Sequence, residues 1–411
     1  MRTYFSIFTL LIIYSVSAVC AEHYLVTVKN IDQFLSGHKN LKFEDLNLQN
    51  MNVLRVKASE EEIQQINTRS PQVIRVERDI KLELLQTDSL FPKQWHLENT
   101  GLNSRTTVIV PGVKGEDVDA KKAWEITTGS KNIKVALIDS GVDYNHPDLA
   151  PNIWINDAEK NGVAGIDDDN NGYIDDIHGY DFINEDNDPL DEDGHGSHCA
   201  GILGASHNNV GIMGVSGNVQ IMALKFSSQG AGTMASALKA VDYAIEAKAD
   251  IMSNSWGGAP AESVLFDLLK KASENGMFIS NAAGNSANNS ERFPIYPASY
   301  DIPGLMSVGA TMGRGSRTRF SNFGKTAVDV FAPGQNIFSS WMNGRYKKKS
   351  GTSMSAPIVA GMAVLALSIN PDLTPEKLKS IIIESSEMLP ELKDLAVGGR
   401  VNAYQMLELI Q

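Results

Sequence analysis

Cysteine is nearly absent from this chain, with two among 411 residues. One of them, Cys20, falls in an N-terminal segment that reads as removable. That leaves Cys199 alone and rules out an intramolecular disulfide as a source of stability. Positive charge is also scarce. Lys and Arg number 36 against 49 Asp and Glu, a net charge of −13. Nucleic acid and anionic membrane are excluded as partners, because either calls for clustered cations. The one basic run, Lys347-Lys348-Lys349, is short and reads as a solvated turn. Near the N-terminus, the apolar stretch from Phe5 to Val16 falls short of the roughly 20 residues that a bilayer-spanning helix needs. Arg2 precedes it, and Val16-Ser17-Ala18 or Val19-Cys20-Ala21 follows as a small-residue cleavage site. Residues 1–21 therefore read as a secretory signal, which predicts a secreted or periplasmic protein. Val19 is a poor residue ahead of a lipidated cysteine, so no lipid anchor at Cys20 is expected.

What is present suits a globular protein with a sizeable core, at 42% hydrophobic and 21% charged residues. Residues 22–86 read as a small α+β module. It has strands at Tyr24–Val28, Val53–Val56 and Val73–Glu77, and a helix opening at Ser59 with the acidic first turn of a capping box. From 87 to 411 a larger domain is expected. Short apolar runs at Ile133–Ile138, Ile221–Leu224, Ile251–Ser253, Phe278–Ser280 and Met306–Val308 lack polar alternation, as buried parallel strands do. Helical patterns over Thr233–Ala247 and Ala261–Asn275 lie between them. The predicted fold class is α/β, a doubly wound, mainly parallel sheet with helices on both faces. The pattern runs to about Ala403, and no further domain is expected beyond it.

Three segments carry chemistry. Gly351-Thr352-Ser353-Met354-Ser355-Ala356-Pro357 sets serines between small residues ahead of an apolar run, as a nucleophile at a helix start requires. A serine hydroxyl needs an imidazole to take its proton, and the imidazole needs an acid on its other nitrogen. Asp193-Gly194-His195-Gly196-Ser197-His198 supplies two histidines. Gly196 permits close approach at His195, while His198 falls one helical turn on. Asp139 ends the apolar run Val135–Ile138, at the carboxyl edge where parallel sheets bind ligands. A tetrahedral intermediate also needs a preorganised donor, and Asn281-Ala282-Ala283-Gly284-Asn285 offers two amides. A fourth segment, Asp167 to Asp176, has oxygen ligands at alternate positions and a glycine for the turn, like the first part of an EF-hand. His178 stands where the bidentate glutamate belongs. The density of carboxylates still predicts Ca²⁺, with Asp167, Asp169, Asn171 and Asp175 as candidate ligands.

The acid, base and nucleophile run in the order Asp, His, Ser, which is that of subtilisin. Together with Asp139-Ser140-Gly141, Asp143–Leu149 and the serine block, that order makes the chain resemble the subtilase family of serine proteases over about residues 88 to 405. The resemblance implies a secreted serine endopeptidase with Asp139, His195 and Ser353 as its catalytic triad and Asn285 in the oxyanion hole. Ser353 is favoured over Ser350 and Ser355 because only it lies between Thr352 and Met354; Ser355 stands where the family usually has alanine. Ser255 and Gly257 of the Ser253–Gly258 segment are implied to pair with an extended peptide substrate. Gly258 and Ala283 are implied to border the pocket for the side chain before the cut bond. Cys199 is implied to lie beneath the base, as in proteinase K-like members, and Tyr296-Pro297 matches a place where the family often has a cis peptide. A tight calcium site is implied at Asp88, Asp148 and Asn208 with the carbonyls of Ser206, Val210 and Ile212. Residues 22–86 resemble the inhibitory propeptide, an intramolecular partner removed by a cut near Leu84 to Thr87. A monomer is expected. Sedolisin-like acid peptidases share a serine block, but they use a glutamate base and an aspartate in the oxyanion hole, against His195 and Asn285 here. A pseudoprotease acting as a calcium-dependent binding protein is expected to have lost a triad member, and none is lost.

Overall fold

The structure is a computed structural model that describes residues 23–79 apart from 40, 47 and 49, residues 88–103, and residues 112–411 apart from 259. The signal segment 1–21 and the processing region Leu84 to Thr87 lie outside the described residues. The chain divides into two compact units, Met1–Leu85 and Gln86–Gln411.

In the first unit, β1 (His23–Val28), β2 (Lys42–Asp45), β3 (Val53–Lys57) and β4 (Val73–Arg78) form an antiparallel sheet of order β2-β3-β1-β4, with α1 (Ile31–Gly37) and α2 (Glu60–Arg69). Alternation puts Val26, Leu54 and Val56 on the face that packs against Phe34, Ile63 and Ile66. Ser59 opens α2 with a reciprocal cap: its hydroxyl accepts from the Glu62 N–H, and the Glu62 carboxylate accepts from the Ser59 N–H at 2.8 Å.

The second unit carries, in chain order, α3 (Ala120–Ala123), β5 (Gly129–Asp139), α4 (Asp157–Asn161), β6 (Gly179–Asp181), α5 (His195–Gly204) and β7 (Asn218–Lys225). A small hairpin follows, β8 (Ser227–Ser228) and β9 (Ala231–Gly232), and then α6 (Met234–Glu246), β10 (Ile251–Asn254), α7 (Ser263–Glu274) and β11 (Phe278–Ala282). β12 (Leu305–Thr311), β13 (Val330–Pro333), the hairpin β14 (Ile337–Trp341) and β15 (Arg345–Lys349), α8 (Thr352–Ile369), α9 (Pro375–Glu384) and α10 (Ala403–Glu408) complete it. Seven of the strands form one parallel sheet of order β13-β12-β11-β10-β5-β7-β6.

Both faces of the sheet are covered, which is why its strands read as unbroken apolar runs. In β5, Val135 and Leu137 pack with α5 and α8 on one face, while Ala136 and Ile138 pack with α6 and α7 on the other. The α8 helix is apolar all round because it lies under the sheet with its residues from Met354 to Leu367 buried. Strand order turns at β5: the chain goes on to β6 and β7 on one side and crosses to β10 on the other. A crevice opens at the carboxyl ends of strands around such a switch point.

Candidate active site

The ends of three central strands and the starts of two helices meet in that crevice. Asp139 ends β5, Ser255 follows β10, Asn285 follows β11, His195 opens α5 and Ser353 is the second residue of α8. All five line one cleft of about 810 Å³. His195 Nδ1 donates to Asp139 Oδ1 at 2.7 Å, and the same oxygen accepts from the Ser140 N–H at 2.8 Å. Asp139 is only 4% exposed. Its charge, held in a poorly solvated place, raises the His195 imidazole well above its usual value despite the ring's own burial. Gly196 allows this approach, since a Cβ there would fall 2.0 Å from the Gly141 carbonyl oxygen.

Sequence reasoning missed the residue that fixes the two elements together. Asp191, 4% exposed, accepts from Ser140 Oγ and the Asp193 and Gly194 N–H groups with one oxygen, and from the Ser197 N–H and hydroxyl with the other. Burial pushes its carboxyl up. The acidic run Asp191-Glu192-Asp193 carried no signal distinguishing this buried member from its neighbours.

At the head of α8, the first N–H groups have no intrahelical acceptor. Thr352 N–H and Oγ1 donate to Asn285 Oδ1 at 2.8 and 3.1 Å. That fixes which end of the Asn285 amide is the oxygen and leaves Nδ2 as the free donor. Pro357 has no N–H to give the carbonyl four residues back, so the Ser353 carbonyl is orphaned within the helix. Ser255 Oγ donates to it at 2.9 Å and Cys199 Sγ at 3.3 Å. In return Ser353 Oγ donates to the Ser255 carbonyl at 3.1 Å.

The competitors are occupied elsewhere. Ser355 is buried and donates to the Ala332 and Pro333 carbonyls, and Ser350 Oγ accepts from the Asn336 N–H. His198 Nε2 lies 3.2 and 3.0 Å from the carbonyls of Ile337 and Lys347, tying α5 to the β14–β15 hairpin, and burial pushes its ring down to about 3. Asn281 is buried and accepts from Asn254. Cys199, fully buried, has its thiol pushed up by desolvation.

Ser255, Gly257 and Gly258 line the cleft, and a Cβ at Gly257 would meet the Tyr296 carbonyl oxygen at 2.9 Å. Ala283 does not line it. It is 1% exposed and packs with Val328, Phe331 and Leu392, while its neighbours Ala282 and Gly284 face the cleft. One-residue alternation at the end of β11 accounts for the difference. Trp256, Phe226 and Ile295 form apolar wall that sequence reading did not name. The Tyr296–Pro297 peptide is cis.

Two acidic groupings lie apart from Asp139, His195 and Ser353. Asp88 and Asp148 are 2% and 0% exposed, and the loop Ser206–Ile212 wraps them. Val210 N–H donates to Asp88 Oδ1 at 3.0 Å and to Asn208 Oδ1 at 2.9 Å, while Ile212 N–H donates to Asp148 Oδ2 at 3.1 Å. Asp148 Oδ1 is buried with no partner among the described residues. Burial, with Asp88 nearby, pushes the Asp148 carboxyl up to about 6. In the 157–178 loop, the carboxylates that converge are Glu159, Asp169 and Asp176. Of the four residues expected there, only Asp169 belongs to this set. Asp167 turns to the Asn171 and Gly172 N–H groups, Asp175 to the Gly165 N–H, and Asn171 donates to Asp169 and Asp176. Glu159, eight residues upstream of Asp167, lies outside any contiguous loop pattern.

Comparison with known proteins places the chain in a family. Residues 130–404 match the model of the subtilase family. The chain is 35% identical over 301 residues to subtilisin-like protease 1 of Plasmodium berghei (strain Anka), covering 67% of this chain and 50% of that protein. It therefore spans about half the length of that relative. It is 32% identical over 295 residues to thermitase of Thermoactinomyces vulgaris, covering 71% of this chain and 94% of the relative. In fold it is similar to a protease from Pseudoalteromonas arctica PAMC 21717, with a TM-score of 0.64 and 24% identity over 80% of this chain and all of that one. On the match across 130–404 and on these relatives, the chain belongs to the subtilase family.

Proposed function

We propose that the protein is an exported serine endopeptidase, made as a zymogen, that cuts peptide bonds through an acyl-enzyme on Ser353. The observation that carries this reading is the 2.7 Å bond from His195 Nδ1 to a buried Asp139, in one cleft with a serine at a helix start. Asp139 holds the imidazole in the tautomer whose Nε2 accepts a proton. Substrate binding replaces the Ser353–Ser255 contact with one to Nε2, and Ser353 Oγ then attacks the carbonyl carbon as its proton passes to His195. The oxyanion is received by the Ser353 N–H and Asn285 Nδ2. His195 returns the proton to the leaving amine, and water repeats the sequence on the acyl-enzyme. Ser255 and Gly257 pair with the extended backbone of the acyl half, so much of the affinity is independent of side chains, while Gly258, whose N–H and carbonyl bond to Tyr296, borders the side-chain pocket.

Calcium is proposed as a structural ion. Two buried carboxylates, one with an orphaned oxygen and neither in an ion pair with Lys, Arg or His among the described residues, fit a hard cation with oxygen ligands at Asp88, Asp148 and Asn208. There it would neutralise charge and pin the 206–212 loop. Glu159, Asp169 and Asp176 are the second candidate set. The 22–86 module, a small four-stranded sheet between an export signal and the catalytic unit, is proposed as the inhibitory propeptide.

The test is expression of wild type beside Ser353→Ala, followed by intact mass, N-terminal sequencing and hydrolysis of a casein-like substrate with calcium. Wild type should lose about its first 85 residues and hydrolyse the substrate, and the variant should do neither. Processing of the variant on its own would refute self-cleavage, and an inert wild type would refute the peptidase.

A further inference from the structure

The lysine run expected to be a solvated turn is a strand. β15 pairs antiparallel with β14 in the register Trp341↔Arg345, Ser339↔Lys347 and Ile337↔Lys349, so period two sets Arg345, Lys347 and Lys349 on the Trp341 side. Lys347 Nζ lies 4.1 Å and Lys349 Nζ 5.4 Å from the centre of the Trp341 ring. That ring covers Gly194, where a Cβ would fall 2.3 Å from Cε2, and Gly194 immediately precedes His195. Lys349 lines the catalytic cleft itself, as does Asp193.

Arg345, Lys347, Lys348 and Lys349 have no carboxylate within 4 Å among the described residues, Asp193 included. This is unusual placement in a chain of net charge −13. Two ammonium groups held over one ring attract its face but repel each other. A carboxylate is the ligand that relieves the repulsion while leaving both ring contacts in place.

The position in the cleft says which part of a substrate meets them. The acyl half runs from Ser353 past Ser255 toward Gly257 and Gly258. The leaving half continues the other way, past the imidazole that protonates the new amine, where Asp193 and Lys349 line the cleft and the Trp341 ring packs on Gly194 just behind them. We infer that Lys347 and Lys349, carried on Trp341, form a subsite for an Asp or Glu side chain of the peptide on the carboxyl side of the cut bond. The inference rests on the peptidase reading above.

It is tested with three internally quenched peptides that share one acyl half and carry Glu, Ala or Lys at the three positions after the cut bond. kcat/KM is measured for wild type, Lys347→Ala/Lys349→Ala and Lys347→Glu/Lys349→Glu. Wild type is expected to favour the Glu peptide over the Lys peptide on the order of tenfold at low salt. The ratio should shrink toward one at about 1 M salt, where screening extends over only about 3 Å. The alanine pair should bring it within about twofold, and the glutamate pair should reverse it. Because each ratio is taken within one enzyme, a general loss of activity in a variant does not alter the result. Equal cleavage of the three by wild type, a preference for Lys, or a preference unchanged in the variants overturns the subsite while the peptidase stands. Cleavage of none of them overturns the peptidase reading and the subsite with it.

Discussion

Replacing Asn285 by alanine tests whether the head of α8 is built to receive negative charge. The side chain is exposed and held only through Oδ1, which takes the Thr352 N–H at 2.8 Å and hydroxyl at 3.1 Å. Water can replace that acceptor at an exposed site, so the fold should lose no more than about 1 kcal/mol. Loss of Nδ2 is different, since it removes a donor that acts only as charge develops. Such donors contribute on the order of 3 kcal/mol, or 10² to 10³ in kcat, with little change in KM. Asn285→Asp sharpens the test, because it keeps both Thr352 contacts and the volume but turns the free end into a second acceptor bearing charge. It should lose at least as much activity as the alanine variant while melting close to wild type. Steady-state kinetics on a small peptide anilide with a thermal melt of each variant suffices. A loss in kcat below tenfold for Asn285→Ala, or an active Asn285→Asp, refutes the reasoning, as does a loss confined to KM.

Other outcomes follow from the same geometry. Activity needs neutral His195, whose proton Asp139 holds above the usual 6.5, so the acid limb of kcat/KM against pH should lie above that value. Asp139→Asn should move the limb down and lower kcat by about 10⁴. The linkage has the opposite sign for stability: protonated His195 beside Asp139 stabilises the fold fully below about 6.5, and that contribution fades as pH rises through the elevated folded value. Melting curves of wild type and Asp139→Asn from pH 5 to 9 should therefore differ in slope, and parallel curves would count against the pair. Asp191→Ala leaves several buried donors without an acceptor and should destabilise by about 3 kcal/mol or more in a denaturant titration; a change under about 1 kcal/mol would show that Asp191 does not hold β5 to α5. Chelating calcium should lower the melting midpoint by about 5 °C or more, and Asp148→Asn should make that shift smaller, leaving only what the Glu159, Asp169 and Asp176 set contributes. An unchanged wild-type midpoint would remove the structural ion.

The sequence made the layered α/β architecture legible because burial on both faces of a sheet suppresses polar alternation. Val135–Ile138 and Ile251–Ser253 could hardly be exposed edges. The unread elements are those whose residues look like something else. β15, Arg345–Lys349, is nearly all basic and becomes a strand only because β14 supplies its partner. β2, Lys42–Asp45, is three parts charged for the same reason. At the site, residues adjacent in sequence were readable and those joined by folding were not. The serine block suggested a nucleophile at a helix start, yet nothing in it says that Asn285 orients on Thr352, or that Asp191 binds the strand of the acid to the helix of the base. Glu159 and Asp176 converge with Asp169 across a loop that sequence spacing can only treat as a string.

Pro357 shows how a local rule becomes a device of the site. Proline inside a helix removes one N–H, and here the carbonyl it orphans is that of Ser353 itself. The free carbonyl takes Ser255 Oγ and Cys199 Sγ, which are rooted in β10 and α5, so the loss of one intrahelical bond ties the head of α8 to two other elements. Ser353 Oγ closes the link by donating to the Ser255 carbonyl. The residue that reads as a helix flaw thereby positions the serine between the segment that follows β10 and the helix that opens with His195. The arrangement also explains why a small hydroxyl-bearing residue stands at 255: alanine there would leave the Ser353 carbonyl to a thiol, a weak donor, and a larger side chain would displace the helix start.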